Sequence, residues 1–426
     1  MLVTLTAILM MLVLLVLGTP MVAALLAAVA FNFVASGQWG MMVPQTMVSG
    51  VSQFTLIALP LFVLAGVIMN AGGISGRLFD FARSLVGWMR GGLAQVNVLT
   101  SMFFGGMIGS STADLAGSGS ILIPAMKREG YSSELAASVS ASSSGIGPLI
   151  PPSSPMILYS AVTGTSLGAL FIAGLIPGLL LGGAFMIAIA YLARRRNWVR
   201  HGDFSVNEIM RAGSRASLAF GTPLIIVGGL VLGVFTPSEG GAFAVVYAIL
   251  LSVLIYRTLD LKGLYRAFVA ALQMTGELLI IVSLSFALGS SLSSAQVPQA
   301  MADMVEIFTI GDSMFARLLV LMILAIIAGM FLDPLIPVLV PVILPTLLIF
   351  EVDLLHFGTL MVMAVVIGQL TPPLAIALII TARIAETDQL KIFVANMPFF
   401  LLIIAFTLLL MAVPSLATWL PSVIGK

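Results

Sequence analysis

The chain has 426 residues, of which 60% are hydrophobic and 8% are charged, and its net charge is +1. A soluble domain cannot bury so much apolar surface, because even large single domains leave about a quarter of their chain's surface in water. Cysteine is absent, which excludes disulfides, thiolate metal sites and cysteine nucleophiles. We therefore expect one integral membrane domain over residues 1–426 in a lipid bilayer, with no nucleic-acid partner.

The chain opens with an apolar run over roughly residues 2–33, which is too long for one straight span. The run lacks the basic n-region and cleavage site of a signal peptide, so we expect a first membrane helix, broken or tilted near Gly18-Thr-Pro20. A second span is predicted at about residues 54–70. Charged and apolar residues then mix over residues 77–90, which predicts an amphipathic helix on the cytoplasmic face.

Residues 93–126 are apolar enough for lipid, but glycine, serine and aspartate interrupt them midway. Each half is too short to cross the roughly 30 Å hydrocarbon core, so the run predicts a re-entrant helical hairpin with both ends on one side. Residues 133–163 follow as a spanning helix broken at Pro151 and Pro152, since proline removes a backbone donor and disfavours helix before it. These elements belong to the first predicted repeat, residues 54–192.

Residues 193–266 are predicted to form linker and scaffold helices, with spans at about residues 218–235 and 242–256. The turn between these two spans contains Thr236 and, three residues later, Glu239, which is the sequence signature of a helix N-terminus. We therefore expect Glu239 to cap a helix rather than to bind a ligand.

The second repeat, residues 267–415, has the same order, with a hairpin over residues 316–350 and a helix over residues 357–380 broken at Pro372 and Pro373. Four matched pairs lie 221 positions apart without a gap: Pro124 and Pro345, Gly147 and Gly368, Pro151 and Pro372, and Pro152 and Pro373. In a bilayer, broken backbone survives only where it is buried in protein or lines a wet cavity. Two matched breaks therefore predict a binding site.

The placement of lysine and arginine sets the predicted orientation. A topology of nine full crossings and two hairpins leaves only Arg317 and Lys426 outside the cytoplasm among the basic residues. The N-terminus is then cytoplasmic, the C-terminus is periplasmic, and the two hairpins enter from opposite sides. The predicted fold class is an all-α polytopic membrane protein with inverted repeats, two re-entrant helical hairpins and two broken helices.

A hairpin tip and a helix break that meet at mid-membrane offer carbonyl groups to a small hard cation and amide groups to an anion. Sodium is the expected ion, since it accepts neutral oxygen ligands at such a break. The predicted sodium ligands are Gly109, Ser110, Ser111 and Gly147 at the first site and Gly329, Asp333, Gly368 and Thr371 at the second. The candidate substrate residues are Thr112, Asp114, Ser144 and Ser153.

These residues also have a purely structural interpretation. Small-residue runs such as 109–112 and 138–145 more often let helices approach closely than bind a ligand, and only their position at a repeated break favours a site. Asp114 and Asp333 are functional candidates because acids inside a membrane are costly, although the sequence leaves open whether Asp114 contacts substrate or is structural. His356 is expected to be a structural residue at the membrane interface.

Enzyme chemistry finds little support in the sequence. There is no Walker motif, and His201 and His356 are too far apart to give a metal-ligand spacing. Gly117-Ser-Gly119 resembles a nucleophile elbow only loosely, with no strand-to-helix turn to hold it. We expect a transporter with no cofactor rather than an enzyme.

In the segments around its predicted hairpin tips and helix breaks, the chain resembles the large membrane subunit of tripartite ATP-independent periplasmic (TRAP) transporters. The matching segments are residues 65–74, 77–78, 109–114, 123–131, 149–153, 235–242, 329–333 and 368–373. The resemblance implies an elevator transporter of the bacterial inner membrane, driven by sodium and assisted by a small membrane subunit and a periplasmic binding protein. One departure concerns the second tip, where Pro334 follows Asp333 and many family members carry a hydroxyl residue.

The main hypothesis is sodium-coupled import of an organic acid. An ion or anion channel and a stand-alone sodium/carboxylate symporter are the alternatives. A channel predicts conduction without saturation, whereas inverted breaks favour a binding site at the midplane. C4-dicarboxylates, sialic acids, sugar acids and keto acids all suit the resemblance, and the sequence leaves the substrate, the sodium stoichiometry and the oligomeric state open.

Overall fold

The computed structural model describes residues 2–37, 42–196, 198, 203–309, 313–331 and 335–424. Throughout these ranges the regular structure is helical, and no strand occurs in them. The expectation of an all-helical, polytopic membrane protein is confirmed.

The N-terminal apolar run forms two 15-residue helices, α1 (Leu2–Val16) and α2 (Met21–Ala35). The break predicted near Gly18 is present, with Gly18 in the left-handed region at φ +86°. The two helices pack against each other, and Ala7 and Met11 of α1 are buried. Each helix is only about 22 Å long at 1.5 Å per residue, so the break divides the run into a packed pair of short helices.

The rest of the first half contains nine further α-helices among the described residues. They are α3 (Met42–Val51), α4 (Ala58–Ala71), α5 (Ile74–Val86), α6 (Gly92–Ile108), α7 (Ser111–Asp114), α8 (Ser120–Arg128), α9 (Ser133–Ser144), α10 (Ser154–Thr163) and α11 (Leu167–Arg195). A π-helical turn joins α7 to α8, and a 3-10 turn over Gly147–Leu149 lies between α9 and α10. The amphipathic helix predicted after the second span corresponds to α5, which buries Leu78 and Ala82.

The middle of the chain forms α12 (Val206–Ala216), α13 (Gly221–Val231), α14 (Pro237–Ile249) and α15 (Leu261–Ser294). The Glu239 carboxylate accepts hydrogen bonds from the backbone N–H and the hydroxyl of Thr236, at 2.7 and 2.8 Å, and Thr236 in turn caps α14. The helix-cap role expected for Glu239 is therefore confirmed. At 34 residues, α15 is roughly 50 Å long, and it extends beyond both ends of the span expected at 267–288.

The second half contains seven α-helices in its described part. They are α16 (Val297–Phe308), α17 (Met314–Gly329), α18 (Leu335–Ile349), α19 (Leu354–Leu370), α20 (Ile376–Ala385), α21 (Gln389–Ala412) and α22 (Ser415–Ile424). The last helix was not predicted, and it packs against α11. His356 is 3% exposed, and its Nε2 lies 2.9 Å from the carbonyl oxygen of Leu410, so this side chain packs inside the protein, in a structural role.

Helix boundaries in the two halves follow the 221-residue register. Helix α9 begins at residue 133 and α19 at residue 354, whereas α8 ends at residue 128 and α18 at residue 349. The peptide bonds Pro151–Pro152 and Pro372–Pro373, also 221 positions apart, are both cis. The halves therefore share helix ends as well as sequence breakers.

Five helices in the described residues are long and apolar enough to cross a membrane on their own. They are Phe54–Ala71, Leu167–Arg195, Pro237–Ile255, Leu261–Ser294 and Gln389–Ala412. The arms of the two predicted hairpins and the halves of the two broken helices are shorter. A short helix leaves part of the hydrocarbon thickness uncrossed, so these pieces must act in pairs or end inside the protein.

The long helices organise two sets of neighbours. The first set, here called the α15 group, consists of α2, α3, α4, α14 and α15. The second set, the α19 group, consists of α6, α9, α10, α11, α19, α20 and α21. Helix α18 contacts both α15 and α10, and α4 contacts both α6 and α10. The two groups therefore meet along α4, α10 and α18.

Candidate functional site

The two arms of the first predicted hairpin run antiparallel. Asn97, near the start of α6, places its amide nitrogen 3.7 Å from the sulfur of Met126, near the end of α8. The arms of the second hairpin meet in the same way, because the Arg317 guanidinium at the start of α17 lies 4.8 Å from the ring centre of Phe350, just after α18. In each of the two segments the start and the end therefore lie together.

The tip of the first hairpin contacts the break between α9 and α10. Gly109 ends α6 with φ +60°, and its carbonyl accepts a 3.3 Å hydrogen bond from the backbone N–H of Ser154. A β-carbon at Gly109 would overlap the carbonyl oxygen of Pro152 and would lie 2.7 Å from the α-carbon of Ser153. Only glycine fits here, because both the backbone angle and the neighbouring backbone exclude a side chain.

One turn before the tip, the same hairpin packs against the 3-10 turn. A β-carbon at Gly105 would lie 2.9 Å from the α-carbon of Gly147. Gly147 is therefore held against α6 by backbone packing. The structure thus packs the end of α6 and the first tip against the segment from Gly147 to Ser154.

The second hairpin meets the second broken helix through another glycine pair. A β-carbon at Gly368 would lie 2.6 Å from the carbonyl oxygen of Gly329. Thr371 donates a 2.6 Å hydrogen bond to the carbonyl oxygen of Ile367, so its hydroxyl oxygen stays at the end of α19. Asp333, the fourth predicted ligand, lies outside the described residues.

A cavity of about 450 Å³ lies where the first tip, the two broken helices and the α15 group meet. Its walls include Pro148 from the first break, Leu335 from the start of α18 and Met274 from α15. Its polar lining residues are Asn70, Ser110, Ser111, Thr112, Ser154, Glu277 and Gln369. A cavity with few polar groups among apolar walls is typical of a small-molecule site.

The hydroxyl groups of the first tip face this cavity. The Ser110 and Thr112 oxygens are 3.1 Å apart, and Ser110 caps the four-residue helix α7 by accepting from the N–H of Ala113. The Ser111 hydroxyl is buried and has no hydrogen-bond partner among the described atoms. A buried oxygen without a partner is costly unless a ligand or water occupies its lone pairs, which suits the neutral oxygen site expected for a small cation.

Of the four candidate substrate residues, only Thr112 lines the cavity. Asp114 is 2% exposed, and its carboxylate accepts a 2.5 Å hydrogen bond from Ser118 inside the hairpin. The Ser144 hydroxyl donates to the carbonyl of Ala141 in its own helix, at 2.8 Å.

The fourth candidate, Ser153, is fully buried and caps the next helix. Its hydroxyl donates to the carbonyl oxygen of Pro148 and accepts from the N–H of Met156, at the start of α10. The structure therefore places Asp114, Ser144 and Ser153 in the protein interior and not in the cavity wall.

The serine-rich run of α9 has a packing role. The side chain of Asn97 donates to Ser140 and accepts from Ser143, and Ser142 donates to Asn396 of α21. These bonds join α9 to α6 on one side and to α21 on the other. The interpretation of residues 138–145 as a surface for close helix packing describes this segment better than a binding role.

Four polar cavity residues were not among the site candidates of the sequence analysis: Asn70, Ser154, Glu277 and Gln369. Glu277 lies at the middle of α15, and Asn70 lies near the end of α4. A signal for Glu277 was present, because it is a lone acid in the apolar span predicted at 267–288. No comparable signal marked Asn70, which ends an ordinary apolar span.

A family model for the DctM component of the tripartite ATP-independent periplasmic transporter matches residues 8–416. The sialic acid TRAP transporter large permease protein SiaM of Vibrio cholerae is 36% identical over 344 residues, which cover 80% of each chain. The C4-dicarboxylate TRAP transporter large permease protein DctM of Pseudomonas aeruginosa is 34% identical and covers 87% of each chain. The crystal structure of the YdaH transporter of Alcanivorax borkumensis shares the fold, with a TM-score of 0.57, 17% identity and 87% coverage of each chain.

Proposed function

Because this chain belongs to the DctM family of tripartite ATP-independent periplasmic transporters, we propose that it carries an organic acid across the membrane together with sodium ions. As a member of this family, it is the large permease subunit of a transporter in the inner membrane and not an enzyme. The family implies a small membrane subunit and a periplasmic binding protein as partners.

One observation carries the proposal of coupled transport. A hairpin tip packs on a helix break twice, through Gly109 and Ser154 in the first half and through Gly329 and Gly368 in the second. Elements from both halves border one cavity, to which the first tip contributes hydroxyl groups. In secondary transporters, ion and substrate sites form where broken helices meet at the bilayer midplane.

We propose that the predicted sodium ligands act at these two contacts. Gly109, Ser110, Ser111 and Gly147 would supply the first site, which is supported by the Ser111 hydroxyl, since this group has no hydrogen-bond partner among the described atoms. Gly329, Gly368 and Thr371 would supply the second, together with Asp333. Neutral carbonyl and hydroxyl oxygens are suitable ligands for a hard monovalent cation.

Alternating access would follow from movement of the α19 group against the α15 group. The cavity lies between the two groups, so a displacement of one group would carry the tips and breaks past α4 and α15. The inverted orientation of the halves and the periplasmic C-terminus rest on the lysine and arginine distribution. The register of helix ends supports the division into repeats at residues 54–192 and 267–415.

The substrate is expected to be an organic acid, since the relatives are named for sialic acid and C4-dicarboxylate transport. The proposal is tested by reconstituting the large and small subunits in liposomes with the binding protein and its labelled acid. An inward sodium gradient should drive saturable accumulation, and replacing sodium by potassium should abolish it. Accumulation without sodium would contradict the coupling, uptake without the binding protein would indicate a stand-alone symporter, and non-saturating flux would indicate a channel.

A further inference from the structure

Glu277 is an acid at the midpoint of the 34-residue helix α15. It lines the cavity together with Met274, Leu278 and Ile281 of the same helix. Among the described residues its carboxylate has no hydrogen-bond or ion-pair partner. A charge at this depth in a membrane protein is costly unless it faces a cavity, so its position indicates a functional group.

The rest of the cavity wall carries no full positive charge. No lysine, arginine or histidine occurs among its described lining residues. The N-terminal ends of α10, at Ser154, and of α18, at Leu335, border the cavity. Helix N-termini are electropositive. Among the described lining residues, the only side chain with a full charge is therefore Glu277, on the α15 wall.

We propose that Glu277 is a specificity-determining residue, which selects monocarboxylates that carry hydroxyl groups over dicarboxylates. This inference rests on the proposed function. The single carboxylate of such a substrate would bind near the half-helix N-termini and the hydroxyl groups of Ser110 and Thr112. Its hydroxyl groups would donate hydrogen bonds to the Glu277 carboxylate. A second carboxylate would instead face Glu277 with no cation among the described lining residues between them, and like charges repel.

The test uses the purified complex of large and small subunits in detergent with sodium and without the binding protein, whose own selectivity would mask the effect. Calorimetric titration with gluconate, a hydroxylated monocarboxylate, and with succinate, a C4-dicarboxylate, gives both affinities. The wild-type complex should bind gluconate at least about tenfold more tightly than succinate. Glu277→Gln should bind succinate about tenfold more tightly than the wild type does, and its affinity for gluconate should change less.

Two further variants keep the result interpretable. Glu277→Asp retains the charge and should retain the wild-type preference for gluconate. Glu208→Gln removes an acid from the exposed surface of α12, away from the cavity, and should leave both affinities unchanged. An unfolding temperature equal to that of the wild type shows that Glu277→Gln is folded.

The inference is overturned if the wild type binds succinate as tightly as gluconate, if Glu277→Gln leaves the succinate affinity unchanged, or if neither acid binds. Other results of the same experiment would contradict the proposed function without contradicting the role of Glu277. If gluconate binding is independent of sodium, the coupling is wrong while the selectivity can still hold. If binding requires sodium but Glu277→Gln has no effect on succinate, only the role of Glu277 is wrong.

Discussion

The ammonium group of Lys127, near the end of α8, donates a 2.8 Å hydrogen bond to the backbone carbonyl of Ala385, the last residue of α20. The two residues are 258 positions apart in the chain. Nearby, the Thr387 hydroxyl donates to the Glu134 carboxylate at 3.2 Å. These hydrogen bonds connect the end of α8 and the start of α9 to the C-terminal end of α20. Elements of the two halves are therefore in direct contact here.

Replacing Lys127 with methionine should destabilise the contact between α8 and α20. A hydrogen bond from a charged donor contributes about 1.5–3 kcal/mol, and Lys127→Met also leaves the Ala385 carbonyl at a helix end without that partner. We expect the unfolding temperature of the purified protein to fall by several degrees. Arg128→Met, which removes an exposed charge next to it in the chain, should have little effect. Equal unfolding temperatures for the two variants would show that the bond to Ala385 contributes nothing.

Gly109→Ala should strongly reduce transport, whereas Gly164→Ala should not. Both glycines have positive φ, +60° and +72°, so both alanine variants carry a similar backbone strain of about 1–2 kcal/mol. A β-carbon at Gly109 would overlap the Pro152 carbonyl, but at Gly164 it would meet no atom within 4 Å. Initial uptake rates in liposomes should therefore fall at least about tenfold for the first variant only, which corresponds to roughly 1.4 kcal/mol. Similar losses in both variants would indicate that strain, and not the contact of tip and break, is responsible.

Ser110→Ala should weaken the dependence of uptake on sodium. The variant removes one candidate oxygen ligand and the bond between the Ser110 and Thr112 hydroxyls, so the sodium concentration for half-maximal uptake should rise by about threefold to tenfold. Ser120→Ala is the matched control, because the Ser120 hydroxyl donates to the Gly117 carbonyl and does not line the cavity. An unchanged sodium titration curve for Ser110→Ala would exclude this hydroxyl as a ligand.

The absence of cysteine allows the hairpins to be tested by labelling single cysteine variants. If the second segment is a re-entrant hairpin, Ser313→Cys and Glu351→Cys, at its two exposed ends, should both react with a membrane-impermeant maleimide in right-side-out vesicles. Arg128→Cys, at the end of the first hairpin, should react only after the vesicles are opened. Labelling of the first two positions from opposite sides would show that the second segment crosses the membrane.

Much of the architecture was predictable because it depends on local rules. The proline pairs at Pro151 and Pro372 mark the breaks, since proline cannot continue a helix, and the 221-residue register extends to the observed ends of α8 and α9. The cap at Glu239 follows from a four-residue pattern. The predicted course of the chain failed where one helix packs back on the previous one, as α2 does on α1. Such contacts between helices cannot be predicted from the local sequence.

The sequence by itself determined the membrane class, the family resemblance and the positions of the two helix breaks. The tertiary structure alone decided which polar side chains face the cavity. Asp114 and Ser153 are bonded within their own neighbourhoods, whereas Glu277, far away in the chain, lines the cavity wall. The physical reason is that a break is a property of the local backbone, but a cavity wall is made by helices that the fold brings together from distant parts of the chain.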